Sequence, residues 1–291
     1  MSRPKTTETG ADPECGNCGG EGVAVSRSDG AAVAAVCACV GVCRRCGGSG
    51  FARPDAGSGT LARCVCHDRE ARCRLFSAAG LPARHAQNTL ASYRDGAKRQ
   101  THLKKVLSEY LRDLRSRLSE GRGVLLWGDV GRGKTHLTCA IARELTLRHG
   151  VACRWVEFSH LMSDLKAGFD EGRPASSLLD PLVQVDVLVI DELGKGRTAE
   201  PTAFELAVLD ELVSRRYDAI RPIVAATNYT PDGIRGGGTP GRESLADPRW
   251  PALSERVGMR VLSRLRETCD FYEVVGEDHR MAASRARRPG S

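Results

Sequence analysis

The chain has 291 residues, of which 41% are hydrophobic and 27% charged, and its formal net charge is +7. That balance fits a water-soluble globular protein of about two domains, and no run of about 18 apolar residues is present to cross a membrane. Lys supplies only seven of the 43 basic residues, so Arg richness is a bias of the whole chain and is poor evidence for nucleic acid.

Residues 1–14 read as a disordered tail with no apolar stretch for a secretory signal, so the expected location is cytoplasmic. Eight of the twelve cysteines then fall between residues 15 and 66. Clustered thiols without an export signal point to metal over disulfides. The segment is a tandem repeat: Cys15-Gly-Asn-Cys18-Gly-Gly-Glu-Gly is echoed by Cys43-Arg-Arg-Cys46-Gly-Gly-Ser-Gly, and each is followed by a Cys-x-Cys pair, Cys37/Cys39 and Cys64/Cys66. Four thiolates suit tetrahedral Zn²⁺, and a hairpin turning at Ser28-Asp29-Gly30 would bring the first two pairs together. The expectation is a tandem zinc-ribbon module over 15–66 with two Zn²⁺ per chain. The segment holds Arg27, Arg44, Arg45, Arg53 and Arg63 against Glu21, Asp29 and Asp55, a balance of +2. Eight metal-bound thiolates and two Zn²⁺ bring it to about −2, which argues against phosphate binding by the module as a whole. Its aromatic content, Phe51 alone, is also poor for base stacking.

Residues 67–97 read as a connector. From 98 to 281 the pattern is that of an α/β domain, with a helix whose apolar face is Leu103, Val106, Leu107, Tyr110, Leu111, Leu114 and Leu118. Strands are expected at Gly123–Trp127, Ala152–Phe158, Val185–Ile190, Pro222–Thr227 and Phe271–Val275. Helices are expected at Thr135–Arg148, Ser159–Phe169, Pro201–Tyr217 (Pro201 in its first turn) and about 252–266. A Gly/Pro-rich loop runs through Gly236–Gly238, Pro240 and Pro248. Strands apolar on both faces and separated by helices indicate a parallel sheet covered on both sides. Residues 282–291 read as a basic disordered tail.

Gly128-Asp-Val-Gly131-Arg132-Gly133-Lys134-Thr135, placed between a strand and a helix, has the P-loop pattern. Its backbone N–H groups would cradle the phosphates of ATP, Lys134 would reach the outer phosphates and Thr135 would hold Mg²⁺. Asp191-Glu192 closes a later apolar strand, so Asp191 would join the Mg²⁺ shell and Glu192 would activate water. Asn228, at the end of another strand, would contact the γ-phosphate and the water.

These motifs resemble the AAA+ ATPases, and within them the bacterial helicase-loader group of the DnaC/DnaI type, with the transposition helper IstB as kin. The resemblance covers roughly residues 64–281 and includes Gly131-Arg-Gly-Lys-Thr-His-Leu137 and Ala79-Gly-Leu-Pro-Ala-Arg84. It implies an arginine finger at Arg264, in Arg260-Val-Leu-Ser-Arg264-Leu-Arg266, and a nucleotide-sensing arginine at Arg280. It implies self-association through AAA+ interfaces, a replicative hexameric helicase as partner, and single-stranded DNA. Two other readings stay open: a transposition helper acting on duplex DNA, and a nucleic-acid-binding ribbon module switched by ATP. The cysteine units also resemble the zinc repeats of DnaJ-type chaperones, which pair in a nested way, so the four pairs could group in chain order or nested.

Overall fold

The computed structural model describes residues 10–53, 60–64, 66–93, 98–231 and 252–276. Arg280, both chain ends (1–9 and 277–291) and the Gly/Pro-rich loop through Gly236–Gly238, Pro240 and Pro248 lie outside the described residues. The chain divides into two compact units, Met1–Gln87 with Arg143–Ala152, and Asn88–Ala142 with Cys153–Ser291.

In the first unit, β1 (Val23–Ser28) and β2 (Ala31–Val36) form an antiparallel hairpin. Asp29 (φ +47°) and Gly30 (φ +78°) both take left-handed backbone at its turn, the geometry that twists two strands together through a two-residue loop. The hairpin is braced by α1 (Arg69–Ala78), an element that the sequence reading left inside a connector. Ser77 Oγ accepts from the Ala34 N–H at 3.0 Å, and Ala32 N–H donates to Leu81 O at 2.8 Å. Ala32, Phe76 and Ala79 are fully buried in this unit. A second, two-residue-per-strand hairpin joins β3 (Phe51–Ala52) to β4 (Ala62–Arg63).

The second unit begins with α2 (Lys98–Arg112) and α3 (Leu114–Ser119). One continuous helix was expected here. The chain breaks at Asp113, yet Leu103, Leu107, Tyr110, Leu111 and Leu114 stay buried, so the apolar face survives the break. Five strands follow: β5 (Gly123–Trp127), β6 (Cys153–Glu157), β7 (Val187–Asp191), β8 (Ile223–Thr227) and β9 (Cys269–Glu273). They form one parallel sheet in the order β6-β7-β8-β5-β9. Leu125, Leu188, Ile190, Ile223 and Ala225 join one core cluster with the helices α5 (Phe158–Asp170), α6 (Ala175–Gln184), α7 (Ala203–Asp218), α8 (Leu253–Val257) and α9 (Met259–Thr268). The alternate residues Val124, Leu126, Val187, Val189 and Val224 are fully buried as well, so both faces of the sheet are covered.

Several elements depart from expectation for local reasons. The helix after the P-loop, α4 (Lys134–Arg143), gives way to a π-helical turn at Glu144–Arg148. α7 starts after Pro201, because Thr202 and Glu205 form a capping box that fixes its first residue. α6 was missed: Pro181 inside it masks the apolar spacing of Leu178, Leu179, Leu182 and Val183. The expected 252–266 helix is two helices, broken at Gly258, whose φ of +83° stops α8. Among the described residues no helix is long and apolar enough to cross a membrane.

Candidate functional site

The nucleotide-binding motif sits at the carboxyl end of β5, where the sheet order doubles back, which is where open α/β sheets place their ligands. The approach is tight. Gly128, at φ +142°, has Val274 O 2.6 Å from where its Cβ would be. Gly131 and Gly133 also take positive φ, at +81° and +89°. Lys134 Nζ, on a buried side chain, donates to Gly128 O and Asp129 O, both at 2.8 Å. Arg132 pairs with Asp129 at 3.3 Å, and Tyr93 OH donates to Arg132 O at 3.0 Å. Tyr93 lies outside every motif, and nothing in the sequence marks it as a support of the loop.

Thr135 Oγ1 donates to Asp191 Oδ2 at 2.7 Å, so the hydroxyl and carboxylate expected around one Mg²⁺ are in contact. Asp191 is 3% exposed at the end of β7. Burial pushes its carboxyl up to about 6, against the Thr135 hydrogen bond, and the neighbouring Glu192 carboxylate adds to the rise. A hydroxyl in contact with a buried carboxylate offers the hard oxygen donors that Mg²⁺ takes. The residues present thus fit Mg²⁺, held by Thr135 and Asp191, which would neutralise charge on the phosphates.

Glu192 follows with φ +52°, a left-handed backbone rarely taken by a non-glycine residue. The next residue is pinned to β8: Leu193 N–H donates to Ala226 O at 2.7 Å, and Thr227 Oγ1 donates to Leu193 O at 2.8 Å. Glu192 forms an ion pair with Lys195, which the sequence reading did not single out. Asn228 is half-buried directly after β8, on the strand between β7 and β5. The sheet thus brings Lys134, Thr135, Asp191, Glu192 and Asn228 to one edge.

The arginines behave differently from one another. Arg264 NH1 donates to Asp210 Oδ1 at 3.2 Å, and its guanidinium lies 5.9 Å from the Tyr217 ring centroid. Arg256, in the same stretch of sequence, is buried: its Nε donates to Gly194 O at 2.8 Å and its NH2 to Thr198 O at 3.4 Å, tying the segment after Glu192. Arg216 is fully buried and donates to the carbonyls of Leu182, Val183, Val185, Asp186 and Pro222 at 2.6 to 3.2 Å. In so Arg-rich a chain nothing in the sequence separates these two from surface arginines.

The eight clustered cysteines form two groups in chain order, Cys15/Cys18/Cys37/Cys39 and Cys43/Cys46/Cys64/Cys66. Nested pairing is not what the structure builds. The Cys15–Cys37, Cys18–Cys39, Cys43–Cys64 and Cys46–Cys66 sulfurs are 3.7, 3.5, 3.8 and 3.3 Å apart. A tetrahedral Zn²⁺ with Zn–S of about 2.3 Å sets its sulfurs about 3.8 Å apart, whereas a disulfide needs about 2.05 Å. Backbone N–H groups of Gly22 and Gly50 donate to Cys18 and Cys46 sulfur, each at 3.3 Å, a contact that favours thiolate. The donor set fits two structural Zn²⁺ ions. Cys73, Cys139, Cys153 and Cys269 are buried singly, and burial raises each thiol.

A family model described as IstB-like ATP binding protein matches residues 63–231, more than half of the chain. The chain belongs to this family. It is 28% identical over 224 residues to the YqaM protein of Bacillus subtilis (75% of this chain, 64% of that protein). It is 29% identical over 156 residues to the replicative helicase loader DnaC of Escherichia coli (53% of this chain, 61% of that protein). It therefore spans less than two thirds of the length of either curated relative. The crystal structure of the DnaC helicase loader superposes with a TM-score of 0.53 at 23% identity, covering 66% of this chain and 99% of that one. That likeness is one of fold: a parallel sheet flanked by helices.

Proposed function

We propose that this IstB-family chain is a Mg²⁺-dependent ATPase that loads or remodels a replicative hexameric helicase on single-stranded DNA, in the cytoplasm. The observation that carries the ATPase reading is the contact of Thr135 with Asp191 beside a buried Lys134 inside a glycine-lined loop. In this reading Gly128, Gly131, Arg132, Gly133, Lys134 and Thr135 bind the phosphates of ATP. Asp191 and Thr135 hold Mg²⁺, Glu192 activates the attacking water, Asn228 orients it, and Arg280 contacts the nucleotide. Arg264 acts on the ATP of a neighbouring subunit, so turnover depends on self-association; such fingers contribute about 10³–10⁵ in rate. The eight clustered cysteines carry two Zn²⁺ per chain.

The helicase partner is supported by the likeness to DnaC over half of the chain. The family match itself supports a second reading, a transposition helper acting on duplex DNA. The test is ATP turnover by the zinc-loaded full chain with Mg²⁺, alone, with the hexameric helicase of the same host, with single-stranded DNA and with duplex DNA. Loading predicts co-purification with the helicase and stimulation by helicase and single strands together. Stimulation by duplex DNA with no effect of the helicase overturns loading in favour of the transposition helper.

A further inference from the structure

The two zinc units are duplicates in sequence and in backbone. Glu21 N–H donates to Cys18 O at 3.0 Å, and Ser49 N–H donates to Cys46 O at 3.0 Å. Cys37 N–H donates to Gly22 O at 3.0 Å, and Cys64 N–H to Gly50 O at 2.8 Å. Val40 N–H donates to Cys37 O at 3.0 Å, and His67 N–H to Cys64 O at 2.9 Å. With these turn bonds repeated in both units, the positions that differ report what each unit does.

Every informative difference runs one way. Gly16-Asn17 between the first cysteine pair becomes Arg44-Arg45 in the second unit; Glu21 becomes Ser49; Val36 becomes Arg63; Val23 becomes Phe51; Val40 becomes His67. Two of these side chains of the first unit are used within the fold, whereas Val36 is exposed. Val23 is buried, and Glu21 pairs with Arg143 at 2.8 Å in the same compact unit. In the second unit the matching positions are open. Phe51 is 43% exposed, and Arg44, Arg45 and Arg53 are exposed with no carboxylate partner among the described residues.

His67 packs against Phe51 as a tilted pair, with centroids 5.1 Å apart and ring planes at 58°. Gly50 permits this: at φ +77°, a Cβ there would lie 2.5 Å from His67 Cδ2. Ser49 Oγ donates to Phe51 O at 2.9 Å and holds the turn. Asp68, the acid against this surface, is engaged by His67 Nδ1 at 2.9 Å and by Arg63 at 3.9 Å.

Charge divides in the same way. Residues 15–39 carry Glu21, Asp29 and Arg27, a balance of −1, and residues 43–66 carry Arg44, Arg45, Arg53 and Arg63 against Asp55, a balance of +3. With four thiolates and one Zn²⁺ in each, the values become about −3 and about +1. The module-wide negative balance therefore conceals one unit that repels phosphate and one that attracts it.

We propose that the second zinc unit is a single-stranded nucleic-acid-binding site: an unstacked base stacks on the exposed Phe51 ring, which His67 buttresses, while Arg44, Arg45 and Arg53 contact phosphates, and the first unit is structural. Single strands are specified because a duplex does not offer its base faces to an exposed ring. The site does not depend on the ATPase reading.

The test is fluorescence anisotropy of a labelled oligothymidylate with the zinc-loaded, nucleotide-free full chain, over a range of salt. Phe51→Val weakens binding about tenfold, as loss of one base stack does. Arg44→Gln, Arg45→Gln and Arg53→Gln together lower the slope of log K against log salt by about 2, at about 0.7 per phosphate contact on a single strand. A further variant, Arg44→Gly, Arg45→Asn, Phe51→Val and His67→Val, gives the second unit the residues with which the first already folds. It keeps two Zn²⁺ per chain and the DNA-free ATP turnover of the parent, and loses the oligonucleotide. Unchanged affinity and salt slope in that variant overturn the proposal. So does unchanged oligonucleotide affinity with loss of helicase co-purification, which would assign the surface, including exposed Val42 and Leu61, to a protein partner. Absence of ATP turnover in the parent chain would count against the ATPase reading alone.

Discussion

Arg264 is bound to Asp210 by an ion pair of 3.2 Å that joins α9 to α7 within one chain. The same carboxylate lies 3.9 Å from Arg260 through its other oxygen. Asp210 therefore fixes Arg264 in a defined rotamer and leaves Arg260, 83% exposed, as the looser of the two.

Arg264→Ala is expected to bind ATP normally and to lose about 10³-fold or more in turnover. Both partners of the pair are about one third exposed, so the pair contributes only about 0.2–1 kcal/mol and the melting temperature barely moves. Mixing this variant with Lys134→Ala is expected to restore part of the activity, since each chain supplies the half-site that the other lacks. No recovery at any mixing ratio would exclude action across a subunit interface.

Lys134→Ala and Glu192→Gln are expected to fail at different steps. The buried Lys134 ammonium offsets phosphate charge in the ground state, so its loss weakens nucleotide binding itself, read by titration with a fluorescent ATP analogue. Glu192→Gln keeps the shape of the residue and removes the base. It should bind ATP as tightly as the parent while single-turnover hydrolysis stops. Normal hydrolysis by Glu192→Gln would remove Glu192 from the mechanism.

Elemental analysis should find two zinc ions per chain, unchanged by Cys73→Ser, Cys139→Ser, Cys153→Ser or Cys269→Ser. Their release should be stepwise. The first zinc unit is braced by Ser77 of α1 and by Leu81 beyond it, whereas the buried apolar cluster of the second is little more than Cys43, Ala52 and Cys64. A chelator is therefore expected to take zinc from 43–66 before 15–39, and Cys43→Ser with Cys46→Ser should abolish the fast phase.

Arg216→Met is expected to destabilise the α/β unit by more than about 3 kcal/mol, through the carbonyls left without a donor. Burial draws the guanidinium down to about 9, still above neutral pH, so the residue is a cation at work in the native state. Urea denaturation measures the effect. A loss under about 1 kcal/mol would show that these carbonyls find other donors.

Much of the fold was legible because its signals are local. The runs Val124–Trp127, Val187–Ile190 and Ile223–Ala226 are apolar at every position, the pattern of strands covered on both faces. The P-loop glycines and the Cys-x-x-Cys turns announce themselves because backbone chemistry at those points admits few other residues. Where local signals conflict, the reading faltered: Pro181 hid α6, and the 252–266 helix was drawn through Gly258.

The parallel-sheet class, the glycine-rich loop, the acidic pair and the eight clustered thiols are legible in the sequence alone, since each is written in short runs of neighbouring residues. Only the tertiary structure decided how the four cysteine pairs combine, that Thr135 meets Asp191 across 56 positions of chain, and which arginines are buried. It alone separated the zinc unit with an inward Val23 from the one with an outward Phe51. Burial and long-range pairing belong to the packed chain. An arginine ringed by five carbonyls and an arginine in water are the same letter until the strands and helices around them are in place.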